Sequence, residues 1–229
     1  MSDRGFLLRV KTVDPEGHGG FFDRQRAELA GSHHCLAPDL HGHGETGGTG
    51  PELTIEAAAD ACAALMRARD LSDAVLVGWS MGAHVAFSMI ERHGADGIAG
   101  LVVLDMTAKI LNDETWDCGI AGGFDAGKNR LALRLMGMDW PTYAGTLTQN
   151  MFADGVAPKD DETTALLADV RANDPAMMTA MWSSLAEQDF RPLLPQLSVP
   201  TLLAHGARSR IYAPEVAERL AGMIPDSEG

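Results

Sequence analysis

The sequence predicts an α/β fold with a mostly parallel central sheet flanked by helices. Three short, continuous apolar runs at residues 74–78, 100–106 and 201–206 are bounded by turn-forming residues, as is typical of strands covered on both faces. Amphipathic segments alternate with these runs, which favours parallel strands joined by helical crossovers. Between the second and third runs the pattern changes to helices rich in Met and Trp, and it predicts a helical cap at roughly residues 108–195.

One early strand and two helices are predicted in the first half of the chain. Residues 6–13 have a strand-like apolar pattern. Residues 54–69 carry apolar side chains at helical spacing, and Thr54 is placed to cap that helix. A second helix is expected over residues 81–93, where Gly94 provides the stop.

Length and composition describe a single globular domain over residues 1–229. Hydrophobic residues make up 45% of the chain and charged residues 22%, and the net charge is −14. Because so acidic a protein repels phosphate backbones, a general nucleic-acid-binding surface is excluded. No apolar run approaches the roughly 20 residues of a membrane span, and the N-terminal apolar stretch is too short for a secretory signal. Without a glycine-rich nucleotide motif, no cofactor is implied.

The cysteine and histidine patterns do not predict a metal site. Cys35, Cys62 and Cys118 are far apart and odd in number, so neither a disulfide framework nor a CxxC motif follows from them. We expect free, mostly buried thiols in a reducing compartment, and therefore a cytoplasmic protein. The histidines and the aspartate within residues 33–43 lack the spacing of a zinc-binding helix, and we interpret them as part of a loop.

The strongest motif is G-x-S-x-G at residues 78–82, with the sequence GWSMG. It lies between the predicted strand at 74–78 and the predicted helix at 81–93, a setting that presents a serine on a tight turn above the sheet. The backbone N–H of Met81, at the start of the helix, then points toward a developing oxyanion. The alternative is a glycine-rich turn in which the Ser80 hydroxyl only caps the helix.

Two further segments accompany this motif. Residues 38–44 have the sequence PDLHGHG, and residues 199–206 have the sequence VPTLLAHG. Together with the G-x-S-x-G motif they resemble the α/β-hydrolase superfamily, in its capped, esterase-like branch, over roughly residues 20–225. The resemblance implies a serine nucleophile, a histidine base, an acid that orients the histidine, and two oxyanion N–H groups. Ser80 and the Met81 N–H match this set residue by residue.

The acid has two known places in this superfamily, and one of them holds a carboxylate here. Beyond His205, just after the penultimate strand, residues 207–212 have the sequence ARSRIY. The other place is the end of the strand that follows the nucleophile, where the sequence has Asp105. The resemblance therefore makes Asp105 the candidate acid, and a turn-forming aspartate at a strand end is the alternative.

No histidine of this sequence occupies the superfamily's catalytic position. That histidine follows a last strand, whereas here a predicted helix at residues 213–223 is followed by residues 224–229 alone. We therefore expect no final strand, and an unpaired edge at the 201–206 strand that favours a homodimer. We also expect activity about ten-thousandfold below that of a complete triad. His84 and His205 are weighed as surrogate bases. His84, one helical turn into the predicted helix, suits packing better, and the resemblance implies a turn role for the His-Gly pair at residues 205–206.

The second oxyanion donor is expected shortly before Phe22. The superfamily has His-Gly about eight residues before an aromatic residue, and counting back from Phe22 reaches Asp14. The following Pro15 has no N–H to donate, and the glycine-rich residues 17–20 lie too close to Phe22 for the usual register. We therefore expect the second oxyanion donor to come from residues 15–20, and we assign it to no single residue.

The predicted cap is rich in methionine and tryptophan. These residues are Met136, Met138, Met151, Met177, Met178, Met181, Trp116, Trp140 and Trp182. We favour the interpretation that they form the core of the cap itself. The alternative is that some line an apolar acyl pocket, since thioethers adapt to flexible chains.

These observations predict a serine hydrolase that acts on a small carboxylic ester or thioester through an acyl-enzyme. Ser80 is the nucleophile, Asp105 the acid and the Met81 N–H an oxyanion donor. The expected partners are a small-molecule substrate and a second copy of the chain, with no nucleic acid, metal or membrane span. The alternative is a non-catalytic or truncated hydrolase-like protein with a capped binding pocket. The fold itself does not fix the substrate.

Overall fold

The computed structural model describes residues 22–43, 46, 50–156 and 160–229. The described residues form four strands, β1 Ala74–Trp79, β2 Ile98–Leu104, β3 Thr201–Ala204 and β4 Ser227–Glu228. Their helices are α1 Asp23–Leu29, α2 Ile55–Ala68, α3 Met81–His93, α4 Ala126–Met138, α5 Trp140–Asn150, α6 Asp160–Ala172, α7 Pro175–Glu187 and α8 Glu215–Ala221. The strand predicted at residues 6–13 lies outside the described residues.

The sheet is parallel throughout its described part, in the order β1-β2-β3-β4. Hydrogen bonds continue the ladder past the strand ends: the Ser80 N–H donates to the Leu104 carbonyl at 3.0 Å, and the Asp105 N–H donates to the Ala204 carbonyl at 2.8 Å. The carboxyl ends of β1, β2 and β3 therefore meet at one edge of the sheet. The predicted fold class, a parallel sheet flanked by helices, is confirmed.

The two predicted helices on either side of β1 are present with nearly the predicted bounds. The hydroxyl of Thr54 accepts a hydrogen bond from the Ala57 N–H at 3.1 Å, so Thr54 caps α2 as expected. Gly94 ends α3 with a φ of 77°, a left-handed conformation that favours glycine. The two helices pack against each other, and α3 contacts β1, which places the main hydrophobic core between helices and sheet.

The prediction that no strand follows β3 is wrong. β4 runs parallel to β3, with Ser227 opposite Thr201 and Glu228 opposite Leu202. The Thr201 N–H also donates to the Asp226 carbonyl at 2.9 Å. An unpaired edge was the reason for expecting a homodimer, and this reason does not hold for the first half of β3. The homodimer itself stays a prediction.

Helices α4 to α7 lie between β2 and β3 in the chain, and we call them the helical insert. They fall within the predicted span of 108–195, but residues 106–125 contain no helix. The carboxamide of Asn112 holds this stretch as a loop, because it donates to the Ile120 carbonyl at 2.8 Å and accepts from the Gly119 N–H at 2.9 Å. Such side-chain bonds give the backbone an alternative to helical pairing.

The insert has a small core of its own and is fixed to the rest of the molecule through α7. Its buried core residues are Met136, Trp140, Ala144 and Val170. The hydroxyl of Ser184 on α7 accepts a hydrogen bond from the Ile55 N–H, the first residue of α2, at 3.0 Å. This bond places the insert next to the start of α2.

The connection from β1 to α3 depends on a close approach at Gly78. A Cβ atom at Gly78 would lie 2.5 Å from both the Cα and the N atom of Ala83. Both of these are backbone atoms of α3, so no side-chain movement is able to relieve the steric clash. The α3 helix is therefore able to start directly above the end of β1 because residue 78 is glycine.

We expect Gly78→Ala to lower the free energy of unfolding by about 3 kcal/mol, the upper part of the range for overpacking. In a chain of this size that corresponds to a fall in Tm of roughly 6–12 °C. Urea and thermal unfolding measure both quantities. The control is Gly137→Ala, since a Cβ there has nothing within 4 Å and alanine favours the α4 helix. A Gly78→Ala protein with the parent's unfolding midpoint would contradict the close approach as a constraint.

Candidate active site

Ser80 occupies the turn between β1 and α3 in a conformation that few non-glycine residues adopt. Its φ is 50° and its ψ is −124°. The Ser80 side chain makes no capping hydrogen bond to α3, although its carbonyl accepts from the Ala83 N–H at 2.9 Å. The alternative interpretation of Ser80 as a helix cap is therefore not supported. Ser80 instead lines a cavity.

That cavity has a volume of about 190 Å³ and lies between the carboxyl edge of the sheet and the helical insert. Its polar lining residues are His43, Ser80, Asp105 and Tyr212. The insert contributes six methionines and tryptophans to the lining, which are Met136, Trp140, Met151, Met178, Met181 and Trp182. The favoured prediction, that such residues serve only the core of the insert, is therefore incomplete. The cavity has polar groups from the sheet edge and an apolar wall from the insert.

Three methionines and tryptophans of the same set do not line the cavity. Met138 is 70% exposed, and Met177 packs against the main core. The indole N–H of Trp116 donates to the Lys109 carbonyl at 2.9 Å. The sequence alone does not separate the two groups, because both contain methionine and tryptophan and the rotation of each helix decides which side chains face the cavity.

The indole N–H groups of the two lining tryptophans in the insert are bonded to protein partners. Trp182 donates to the Asn129 Oδ1 atom at 2.8 Å, and Trp140 donates to the Arg171 carbonyl at 3.3 Å. A buried indole N–H needs such a partner. With these donors occupied, the two rings offer carbon surface to a bound molecule, which suits an apolar chain.

Asp105 follows β2 directly and also has a left-handed backbone, with a φ of 46°. Its Oδ2 atom accepts a hydrogen bond from the Ser209 hydroxyl at 3.0 Å. Its Oδ1 atom is buried and has no hydrogen-bond partner among the described residues. The structure thus brings Ser80, Met81 and Asp105, the three predicted site residues, to the same cavity. A buried carboxylate oxygen there is able to accept one further N–H.

The two histidines weighed as surrogate bases do not line the cavity. His84 is fully buried, its Nε2 atom donates to the Thr107 carbonyl at 2.7 Å, and its ring packs edge-on against Phe190 at 5.0 Å. Burial lowers the pKa of His84 to about 4. The Nε2 atom of His205 lies 2.9 Å from the Met106 carbonyl. Both rings therefore have backbone partners, and neither is among the residues that line the cavity with Ser80.

His43 is a cavity residue that the sequence did not single out as a candidate base. It is 3% exposed, and its Nδ1 atom lies 3.1 Å from the His41 carbonyl. Since a carbonyl oxygen only accepts, Nδ1 carries the proton, and neutral His43 has its lone pair on Nε2. Burial lowers the pKa of His43, which the His41 carbonyl and the charge of Asp39 partly oppose. The only signal in the sequence was its place in the PDLHGHG segment.

Tyr212 is the second lining residue that sequence reasoning missed. It is buried, and its hydroxyl donates to the Met106 sulfur at 3.0 Å. Burial, and then the charge of Asp105, raises the pKa of Tyr212 well above its usual value. The phenol is therefore neutral, and the charge on this side of the cavity belongs to Asp105.

The described residues do not contain a cluster of three or more His, Cys, Asp or Glu that is arranged to hold a metal ion. None of their helices is long and apolar enough to cross a membrane.

All three cysteines are free. Cys62 is buried, which raises its pKa to about 12, while Cys35 and Cys118 are half-buried. The expected second oxyanion donor, within residues 15–20, lies outside the part of the chain that the structure describes.

A comparison with protein families matches residues 17–228 to a model described as the alpha/beta hydrolase family. The chain belongs to the α/β-hydrolase family. The match covers the G-x-S-x-G turn, the helical insert and β3, so the resemblance inferred from the three sequence motifs is confirmed over residues 17–228.

Named relatives of this hydrolase include esterases. A pimeloyl-[acyl-carrier protein] methyl ester esterase of Chromobacterium violaceum is 30% identical over 92% of the chain and 79% of the relative. The enzyme of the same name from Neisseria meningitidis is 30% identical over 87% of the chain, which spans 61% of that relative. The solved esterase of Exiguobacterium antarcticum has a TM-score of 0.86 at 17% identity, over 99% of this chain and 82% of that one.

The fold and the esterase relatives bear out the expectation of an α/β-hydrolase-type carboxylic ester hydrolase. At 17% identity the Exiguobacterium structure shows the fold alone. The nucleophile, the acid and the oxyanion donor are not identified by these comparisons. Their assignment depends on the geometry of the cavity.

Because His84 is neutral in the folded protein, we expect acid to destabilise this hydrolase. An unfolded histidine takes up a proton near pH 6.5, whereas His84 resists protonation until about pH 4. The stability contributed by neutral His84 is therefore complete above pH 6.5 and is lost as the pH falls toward 4. Between pH 7 and pH 5 the loss amounts to about 2 kcal/mol in the free energy of unfolding.

Urea unfolding at the two pH values, with His84→Gln beside the parent, measures this loss. The glutamine variant retains a donor for the Thr107 carbonyl but does not titrate, so its stability should fall less on acidification, by about 2 kcal/mol. Replacement of the exposed His34 by glutamine provides the control. An equal pH dependence in the parent and in His84→Gln would show that His84 does not contribute.

Proposed function

We propose that this hydrolase is a serine esterase that cleaves small carboxylic esters or thioesters through an acyl-enzyme. The observation that carries the proposal is the position of Ser80. Its hydroxyl is not used as a helix cap, and it belongs to a left-handed turn at the polar end of an apolar cavity that also contains Asp105. A serine held in this way is typical of a nucleophile rather than of a structural turn.

The proposed reaction begins with attack of the Ser80 Oγ atom on the carbonyl carbon while a base takes the hydroxyl proton. The carbonyl oxygen becomes an oxyanion, which the Met81 N–H at the start of α3 stabilises. The alcohol or thiol leaves with the proton, and the acyl group stays on Ser80. Water then attacks the acyl-enzyme, which releases a carboxylic acid and returns the proton to Ser80.

In this mechanism Asp105 orients the base and stabilises the positive charge that the base acquires. The buried Oδ1 atom supports this role, because it is the acceptor that an imidazole N–H requires. His84 and His205 do not fit the base, since neither lines the cavity and both have backbone partners. Among the described histidines, His43 is the one that lines the cavity with Ser80.

The helical insert acts as the cap over this site in the proposed enzyme. Its methionines and tryptophans form the apolar wall, so we propose an apolar acyl or alcohol group as the part of the substrate that binds there. Relatives whose names specify the methyl ester of a pimeloyl chain on an acyl-carrier protein support an acyl ester of a small alcohol as the substrate class. The three free cysteines support a cytoplasmic enzyme.

We expect Ser80→Ala to lose at least about a thousandfold in kcat with p-nitrophenyl butyrate, because the covalent route requires the hydroxyl. The parent should take up one equivalent of a fluorophosphonate probe, and Ser80→Ala should take up none, as intact mass measures. Circular dichroism and Tm should remain close to those of the parent.

Ser72→Ala is the matched control, since Ser72 is exposed and does not line the cavity. It should be labelled and active like the parent. A parent chain that shows neither hydrolysis nor labelling would favour the alternative of a non-catalytic binding protein. Undiminished turnover in Ser80→Ala would remove Ser80 as the nucleophile.

The apolar wall of the cavity predicts how the length of the substrate's acyl chain affects kcat/KM. Leu147 on α5 lines the cavity, so Leu147→Trp should narrow it. We expect kcat/KM to fall about tenfold for p-nitrophenyl hexanoate and less than threefold for the acetate, since each methylene in such a pocket is worth roughly 1 kcal/mol or more. Leu131→Trp, at an exposed position of α4, should leave both values unchanged. Equal losses for both esters would place the acyl chain elsewhere.

A further inference from the structure

The loop after β3 contains a serine whose hydrogen bonds all have a fixed direction. The Ser209 Oγ atom lies 3.2 Å from the backbone N atoms of both Ile211 and Tyr212, and it accepts a hydrogen bond from each. A hydroxyl oxygen has two acceptor positions, so both are occupied. Its single proton remains, and the Asp105 Oδ2 atom lies 3.0 Å away to accept it. The chain of bonds therefore runs from the backbone through Ser209 to Asp105.

This series of hydrogen bonds fixes the Oδ2 atom of Asp105 and leaves the Oδ1 atom without a partner among the described residues. The backbone of Asp105 is fixed by its bond to the Ala204 carbonyl, and its side chain is fixed at Oδ2 by Ser209. The Oδ1 atom is buried with no partner among the described residues, and Asp105 lines the cavity with Ser80. A carboxylate fixed in this way has one defined direction in which it accepts a further N–H.

The contact also joins the two places that the superfamily uses for its acid. One lies at the end of the strand after the nucleophile, where this chain has Asp105. The other lies a few residues beyond His205, in the loop that contains Ser209. The structure shows that side chains from the two places meet within a hydrogen bond, 3.0 Å apart. In this chain the second place therefore supplies the hydroxyl that supports the carboxylate of the first.

We infer that Ser209 is a positioning residue for Asp105, which fixes the carboxylate so that Oδ1 faces the base. The inference rests on the proposed function. It has a structural corollary, because the two backbone N–H groups that now bond to the Ser209 hydroxyl are equally able to bond to a carboxylate at this position. A carboxylate moved from residue 105 to residue 209 should then take over part of the role of Asp105.

The first test is the split between kcat and KM. Ser209→Ala removes the donor to Asp105 but no cavity-lining group, since Ser209 does not line the cavity. We expect kcat with p-nitrophenyl butyrate to fall about tenfold or more while KM changes less than twofold. The rate of fluorophosphonate labelling should fall in parallel. Ser72→Ala, exposed and distant in sequence, serves as the control, and Tm measurements establish that each variant is folded at the assay temperature.

The second test moves the acid, which a merely structural role for Ser209 would not predict to succeed. Asp105→Asn alone should lower kcat about a thousandfold or more, as expected when a neutral amide replaces the orienting acid. Adding Ser209→Asp to Asp105→Asn should restore kcat at least tenfold. Here the new carboxylate accepts from the Ile211 and Tyr212 N–H groups, and the introduced amide is able to donate to it.

The outcomes separate the inference from the proposed function. An active parent whose Ser209→Ala variant keeps the parent's kcat rejects the positioning role alone. A double variant no more active than Asp105→Asn rejects the equivalence of the two places, and with it the direction assigned to Oδ1. A parent that is neither active nor labelled rejects the proposed function and the positioning role together.

Discussion

The contact between Gly78 and the backbone of Ala83 determines how the rest of the site is arranged. Because no side chain separates them, α3 begins directly at the end of β1, and the connection between them is a single tight turn. That turn places Ser80 at the sheet edge, where its N–H continues the ladder to the Leu104 carbonyl. The residue after Leu104, directly beyond the end of β2, is Asp105. The distance between the proposed nucleophile and the proposed acid is thus set by strand pairing and not by flexible loops.

The cavity combines two layers of the molecule with different chemistry. The sheet edge supplies Ser80, Asp105 and, through the loop after β3, Tyr212, whereas the helical insert supplies thioethers and indole rings. The insert is held in place by the bond between the Ser184 hydroxyl and the first N–H of α2. The Ile55 N–H at the start of α2 has no acceptor within its own helix, and its bond to Ser184 attaches the insert to α2. A change in the insert is therefore expected to alter which molecule binds more than which bond reacts.

Local signals account for the part of the fold that was predictable. The α2 and α3 helices have a capping threonine and a terminal glycine, and these act within one turn of the helix. The loop at residues 106–125 and the two-residue strand β4 were missed, because the loop is held by bonds from Asn112 to residues seven to twelve positions away and β4 exists only through its pairing with β3. Neither leaves a periodic pattern in the sequence.

Site residues were predictable where a sequence motif specifies them. They were not predictable where only the tertiary structure brings a residue to the cavity. Ser80 was found from the G-x-S-x-G motif and Asp105 from what the superfamily resemblance implies, and the structure brings both to one cavity. His43 and Tyr212 reach the same cavity from loops whose paths a single sequence does not specify. His84 lies one helical turn beyond Ser80, a position that favours packing over catalysis, and its ring is turned into the core toward Phe190. Spacing along a chain predicts a face of a helix, but not what that face is packed against.

The left-handed backbone of Ser80 and Asp105 has a consequence for the evolution of this protein. Such conformations cost roughly 1 to 3 kcal/mol each at residues that carry a Cβ atom, and both occur at the cavity. A lineage selected only for resistance to heat would gain by relaxing these two positions, for example through glycine, and would lose the side chains proposed for the chemistry. Thermostability and turnover therefore make opposing demands on the same few residues, and improvements in one without loss of the other should accumulate elsewhere in the chain.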